Sequence, residues 1–271
     1  MPQTFTEESV ADLMPELRTV MREAASIAHP FYRPERQTTA RIWSKAGGSP
    51  VTEADVAVDT FLKIRLSELV PQAAWLSEET ADDHARLGRD LVWIVDPIDG
   101  TRAFLSGHRD WSIAVGLLWQ GEPLIGFVHA PALGVAYEAI RGQGAFRDGE
   151  RIRVDGKPNL RGARITGPKP MLDRLTKGAG PEPDFTRIDR IPSLALRLVR
   201  VAEGSVDVGM ISSDARDWDL AAADLVLREA GGEVMSLRGD PAIYNRADPV
   251  HGELVVLPRA LRGPVLEAWA G

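Results

Sequence analysis

Val10, Leu13, Met14, Leu17, Val20, Met21, Ala24 and Ile27 recur every three or four residues. That spacing predicts an amphipathic helix at the start of the chain, ended by Pro30 and Pro34. Residues 45–50 read as a loop by composition. A second helix is expected over residues 53–69, with Val56, Phe61, Leu62, Ile64 and Leu69 as its buried side. The period then shortens. Residues 73–76 predict a short strand leading into Ser77-Glu78-Glu79, and the unbroken apolar run over 91–95 predicts a buried strand. That strand is expected to stop at Pro97 and to deliver Asp96 and Asp99 onto a turn. Residues 112–119, 124–128 and 135–140 read as further strands, and residues 142–146 as a turn signal. Residues 151–190, rich in Gly, Pro and charge, look like a join between two halves. Beyond it the pattern predicts a helix over 194–202, a strand over 206–211, a helix from Trp218 to about Ala230 stopped by Gly231-Gly232, a strand over 253–257 and a short terminal helix. Strands in runs beside long helices suggest layered sheets and helices, not strict βαβ alternation.

A chain of 271 residues, 44% hydrophobic and 26% charged, can bury a sizeable core. Two packed halves are expected, residues 1–155 and 156–271. A net charge of −7 argues against a nucleic-acid polymer as partner. It leaves room for a small phosphorylated metabolite, because a local metal charge outweighs a distant surface average. The chain has no cysteine, which removes disulfides, thiolate catalysis and thiolate zinc sites. The first residues carry acids where a signal peptide needs positive charge. No segment approaches the roughly 18 apolar residues of a membrane span. A soluble, cytoplasmic protein without membrane association is the expectation.

The carboxylates near element ends carry the chemistry. Glu78 and Glu79 follow one predicted strand, Asp96 and Asp99 another; Asp217 and Asp219 flank Trp218 at a helix start, and Asp55 opens the second helix. If these ends converge, so many carboxylates in one pocket repel unless a cation lies among them. Mg²⁺ takes oxygen ligands, commonly one or two carboxylates plus substrate phosphate, and would make such a pocket a phosphoryl-transfer site. Plain alternatives exist. Asp55 stands three residues after Thr52, close to a capping box; Asp217 and Asp219 sit where acids favour a helix macrodipole; Glu78-Glu79 suits a solvated loop. Thr101 suits either a helix cap or the orientation of a water molecule, and the Gly100 and Thr101 amides suit a phosphate oxygen.

Other candidates fade. The five histidines, at 29, 84, 108, 129 and 251, show no metal-ligand spacing, and His108 and His129 read as surface or packing residues. No nucleophile elbow or P-loop is present. Gly142 and Gly144 lack the third glycine of a dinucleotide fingerprint, Arg147 standing in its place. Trp93, Trp111, Trp119 and Trp218 read as core aromatics.

The stretches Ser49-Pro50-Val51-Thr52-Glu53-Ala54-Asp55, Ser77-Glu78-Glu79-Thr80, Trp93 through Thr101 with its Asp96-Pro97-Ile98-Asp99-Gly100-Thr101 core, and Trp218-Asp219-Leu220-Ala221-Ala222 followed by Glu229-Ala230-Gly231-Gly232 occur in that order. Together they resemble the inositol monophosphatase superfamily of Mg²⁺-dependent, lithium-sensitive phosphatases, from about residue 7 to 270. The resemblance implies an α/β (α+β) layered sandwich of alternating helix and sheet layers (αβαβα), like inositol monophosphatase and fructose-1,6-bisphosphatase, usually in a homodimer. It implies two to three Mg²⁺ ions: a first on Glu78, Asp96 and the Ile98 carbonyl, a second on Asp96, Asp99 and Asp219, a third leaning on Glu78. Asp55 and Thr101 would act on the attacking water, with Glu78 also counted in the catalytic set. Gly100 and Thr101 would bind phosphate, and Asp99, Asp219 and Arg102 would face the substrate.

The central motif continues Arg102-Ala103-Phe104 where inositol monophosphatases mostly carry Thr or Ile, then Asn-Phe. This is more like the 3'(2'),5'-bisphosphate nucleotidase branch and is also seen in histidinol-phosphatases of the superfamily. The loop over 211–217 lacks a clear match to the acid that contacts inositol hydroxyls in the family, Asp214 being the one candidate. Ser77 stands where Gly is common. Arg102 suits a second phosphate as a rigid fork of donors or a solvated side chain. The expected activity is a Mg²⁺-dependent phosphomonoesterase acting on adenosine 3',5'-bisphosphate, with inositol 1-phosphate next and histidinol phosphate or a sugar phosphate after it. A non-catalytic metal- and phosphate-binding module is the alternative of another class.

Overall fold

The computed structural model describes residues 10–44, 48–180 and 184–270. Helix α1 (Met14–Ala28) follows a short 3-10 turn. The hairpin β1 (Ile42–Ser44) and β2 (Pro50–Thr52) leads into α2 (Glu53–Leu69); residues 45–47 of the expected loop lie outside the described residues. Then come β3 (Ala74–Ser77), β4 (Leu91–Asp99), the single-turn helix α3 (Thr101–Ser106), β5 (Ser112–Trp119), β6 (Glu122–Ala130), β7 (Val135–Ile140), β8 (Gly144–Arg147) and β9 (Glu150–Ile152). The remainder is β10 (Ala163–Thr166), α4 (Lys169–Gly178), β11 (Phe185–Arg187), α5 (Leu194–Ala202), β12 (Val208–Ile211), α6 (Asp217–Ala230), β13 (Gly232–Ser236), β14 (Leu254–Pro258) and α7 (Arg262–Ala270).

Strands β3 to β9 form a seven-stranded sheet in sequence order, antiparallel except for the β3–β4 pair. A five-stranded mixed sheet runs β11-β10-β12-β14-β13. Side-chain alternation along β4 shows how the layers assemble. Leu91, Trp93 and Val95 face α1 and α2 in one core, while Val92 and Ile94 face α5 and α6 in the next. The far side of the small sheet packs on α4 and α7 through Ile165, Met210, Leu175, Val265 and Trp269. The result is the alternating αβαβα stack. Among the described residues no helix is long and apolar enough to cross a membrane.

Four local expectations need correction. First, β4 runs through Pro97 to Asp99. Its pairing with β5 shifts between Asp96↔Ala114 and Asp99↔Ser112, so three steps on β4 oppose two on β5. One extra residue is a β-bulge, a position that tolerates proline. Second, residues 151–190 are not a plain join, since they supply β10, α4 and β11. The helix is short, and its buried residues Met171, Leu172 and Leu175 are sparse among charges. Third, Gly144 begins a strand where a turn was read. Fourth, Val56 and Ile64 are exposed; α2 instead buries Ala54, Asp55, Val58, Asp59, Leu62 and Leu66. Two carboxylates share that buried face, which an apolar pattern cannot report.

One contact sets the position of α6. Gly116 on β5 and Gly126 on β6 are direct cross-strand partners. The backbone of α6 at Ala221 and Ala222 lies on them. A Cβ at Gly126 would stand 2.1 Å from the Ala222 carbonyl oxygen. Small residues on both sides bring the helix backbone onto the sheet and bring Asp219, at its first turn, to the end of β4.

Candidate active site

The bulge gives Asp96 and Asp99 a common face. In a regular strand residues three apart point to opposite faces; one extra residue restores the match. Ile98, between them, turns into the α1–α2 core. Asp219 arrives from α6, and one carboxylate oxygen from each of Asp96, Asp99 and Asp219 lies within 4.8 Å of the others. Asp96 and Asp99 are buried; Asp219 keeps part of its surface exposed.

Each carboxylate is oriented by backbone. Asp96 Oδ1 accepts from the Ile98 N–H at 3.0 Å. Asp99 sits over the start of α5: the N–H groups of Leu194 and Ala195 donate to Oδ1 and Oδ2 at 3.1 and 2.7 Å, and Ser193 Oγ donates to Oδ2 at 2.5 Å. Ser193 is also the N-cap of α5, accepting from the Leu196 N–H. Asp219 Oδ2 accepts from the Arg216 N–H at 2.6 Å, closing the first turn of α6. Burial pushes all three carboxyls up, Asp99 to about 6, and the charges of their neighbours push the same way.

Asp55 fulfils the capping alternative with half of its carboxylate. Oδ2 accepts from the Thr52 N–H at 2.8 Å and from Thr52 Oγ at 2.5 Å. Oδ1 is buried and has no hydrogen-bond partner among the described residues. Burial pushes this carboxyl up to about 6, and the nearby Glu78 charge adds to the rise. Glu78 lines the adjoining cleft, outside the Asp96–Asp99–Asp219 triad. A buried oxygen without a donor beside three crowded carboxylates fits a hard cation and its water shell; the all-oxygen donor set suits Mg²⁺.

The cleft, of about 390 Å³, is lined by Ser49, Pro50, Glu78, Gly100, Thr101, Arg102, Arg190 and Pro192. Gly100 is the N-cap of α3 with φ +88, and a Cβ there would come within 3.3 Å of Ser193. Both the left-handed backbone and the close approach of α5 require glycine. Thr101 is therefore the first residue of α3, not its cap, and its Oγ donates to the Ile98 carbonyl at 3.2 Å.

Asp217 does not join the cluster. Its Oδ1 meets His251 Nε2 at 2.7 Å and its Oδ2 accepts from the Asn245 N–H at 2.7 Å. Asn245 Oδ1 in turn accepts from the buried Arg86, whose guanidinium also holds Asp82 and the Arg246 carbonyl. This network ties the loop after Glu78 to the start of α6. Asp214 is exposed with φ +80. His108 is exposed and His129 half-buried, as expected. Trp93 and Trp111 are core residues, with Trp119 and Trp218 at core edges. Sequence reasoning missed Ser193, Arg190, His251 and Arg86. Only Ser193 left a signal, as a hydroxyl directly before a periodic helix.

The model of the inositol monophosphatase family matches residues 13–265. The chain is 29% identical over 249 residues to the 3'(2'),5'-bisphosphate nucleotidase CysQ of Aggregatibacter actinomycetemcomitans, covering 87% of this chain and 88% of that one. It is 37% identical over 212 residues to the histidinol-phosphatase of Mycobacterium tuberculosis, covering 73% and 78%. The structure of the Thermotoga maritima IMPase superposes with a TM-score of 0.82 at 27% identity, covering 96% and 97%.

Proposed function

Since the chain belongs to the inositol monophosphatase family and is a phosphoric monoester hydrolase, we propose that it hydrolyses a small bisphosphorylated nucleotide of the adenosine 3',5'-bisphosphate type, with Mg²⁺ as cofactor. The observation that carries the chemistry is the three-carboxylate cluster beside a buried, partnerless Asp55 oxygen. Arg102 on the cleft wall favours a substrate with a second phosphate.

Asp96, Asp99 and Asp219 would hold Mg²⁺, with Glu78 and the Ile98 carbonyl completing a site for two or three ions. Bound there, Mg²⁺ supplies Lewis-acid polarisation of water and of phosphoryl oxygens. The residues of the chain do the rest. The first amides of α3, at Gly100 and Thr101, have no acceptor within their own helix and receive phosphate oxygens. Thr101 Oγ orients the attacking water, and Asp55 Oδ1 takes its proton. A carboxyl raised to about 6 suits a base working near neutrality. No covalent phosphoenzyme is formed.

Phosphate release from adenosine 3',5'-bisphosphate, inositol 1-phosphate and histidinol phosphate, compared as kcat/KM at one Mg²⁺ concentration, tests the reading. The bisphosphate is expected to lead. A lead for histidinol phosphate would support the second reading, which the 37% identical relative favours. No release from any small phosphomonoester would overturn the activity. Asp96→Asn is expected to lower kcat by about 10²–10³, the scale of losing one electrostatic stabiliser, measured at saturating Mg²⁺.

A further inference from the structure

The segment leading into α5 puts an arginine on the cleft that no motif indicated. Arg190 lines it together with Arg102. Neither guanidinium has a hydrogen-bond or ion-pair partner among the described residues. Arg18, Arg86, Arg164 and Arg200, by contrast, each hold a carboxylate. Two uncompensated cations beside a carboxylate cluster, in a chain of net charge −7, suit an anion that the carboxylates would otherwise repel.

The backbone on either side of Arg190 is fixed from inside the protein. Thr166 Oγ donates to the Asp189 carbonyl at 2.8 Å. Arg197 Nη2 donates to the Ile191 carbonyl at 2.6 Å, and its Nη1 to the Met210 carbonyl on β12 at 2.6 Å. Thr166 and Arg197 are both fully buried. Gly209 makes room for Arg197; a Cβ there would stand 3.1 Å from the Arg197 Cγ. Among the described residues Arg197 has no carboxylate partner and its Nε is unsatisfied, and burial pushes its guanidinium down to about 10. A buried cation bonded only to carbonyls costs stability. Here it holds in place the segment that carries Arg190, whose own side chain stays exposed.

We propose that Arg190, pre-positioned by Thr166 and Arg197, joins Arg102 in binding a second phosphate group of the substrate and so determines specificity for bisphosphorylated over monophosphorylated small molecules. Guanidinium groups match phosphate oxygens with paired donors, and a backbone segment already fixed loses little entropy on binding. The cleft volume is in the range of small-molecule sites. This deepens the phosphatase reading above and rests on it. Arg190 is the specificity residue; Arg197 acts through it as a positioning residue.

The test compares adenosine 3',5'-bisphosphate with adenosine 3'-monophosphate, which lacks only the second phosphate. Wild type, Arg190→Ala, Arg190→Lys and Arg197→Lys are assayed with Mg²⁺, and binding of the bisphosphate is titrated calorimetrically. Arg190→Ala should lower the bisphosphate-to-monophosphate ratio of kcat/KM at least tenfold, mainly by raising KM for the bisphosphate. Arg190→Lys should recover part of that loss. Arg197→Lys should lower the same ratio, and adding Arg190→Ala to it should lower it no further than Arg190→Ala alone. A ratio for Arg190→Ala within twofold of wild type overturns the proposal, and additive losses overturn the positioning role. If Arg197→Lys does not fold, the two Arg190 variants decide the specificity. A wild type that hydrolyses inositol 1-phosphate or histidinol phosphate but neither hydrolyses nor binds the bisphosphate overturns this inference and leaves the phosphatase standing. A wild type that releases no phosphate from any substrate sinks the phosphatase reading, and the titration then decides Arg190 by itself: a tenfold weaker fit of the bisphosphate to Arg190→Ala supports it, and equal affinity ends it.

Discussion

Asp55 shows how a side chain that caps a helix can keep one oxygen uncommitted. Its Oδ2 closes the first turn of α2 while its Oδ1 stays buried without a donor. Both sequence readings of Asp55, cap and site carboxylate, are therefore compatible in one residue. Desolvation raises Asp55 and Asp99 to about 6, above the roughly 4 of an unfolded aspartate. Between those values the folded state binds more protons than the unfolded one, so stability falls as pH rises. Metal-free protein is thus expected to melt at a lower temperature at pH 7 than at pH 5, the Asp55 and Asp99 contributions falling between about pH 4 and 6. Calorimetric scans in EDTA check this, and Asp55→Asn should flatten the slope. Asp207, held low by Arg164 and Lys157 despite its burial, has the opposite sign and acts below that window.

At the level of elements, the site is assembled by where strands and helices end. The Pro97 bulge turns Asp99 onto the face of Asp96, and the start of α5 fixes Asp99 through Ser193 and two amides. The Ala221-Ala222 pair after Asp219, read as part of a family motif, is a packing device on Gly116 and Gly126. Gly126→Ala is expected to cost about 1–3 kcal/mol or more through overpacking, because the clash is with helix backbone and not with a flexible side chain. Urea denaturation measures it, and the same variant should weaken Mg²⁺ activation by moving Asp219. The helices and most strands were legible as apolar periodicity. The bulge was not, because a proline near a strand end reads as a stop; nor was α4, whose three buried residues sit among charges.

For the molecule as a whole, the carboxylate cluster is expected to make stability depend on metal. A cation that binds only the folded state raises stability with concentration, by about 2.7 kcal/mol at one hundred times its dissociation constant. The melting temperature should therefore climb with Mg²⁺ at pH 7.5 and fall on adding EDTA. An unchanged melting temperature would mean that the cluster does not bind the ion. The layered stack is what brings the candidate ligands together: Asp96 lies on β4 and Glu78 directly follows the neighbouring β3, while Asp219 comes from a helix held on that sheet by two glycines. Taken alone, the sequence determined which elements form and which residue types could hold a hard cation, because periodicity and local motifs act over a few residues. Only the tertiary structure decided that Asp217 turns to His251, and that Arg190 reaches the cleft. Those outcomes depend on layer spacing, a bulge and buried hydrogen bonds between segments far apart in the chain, and no local pattern records them.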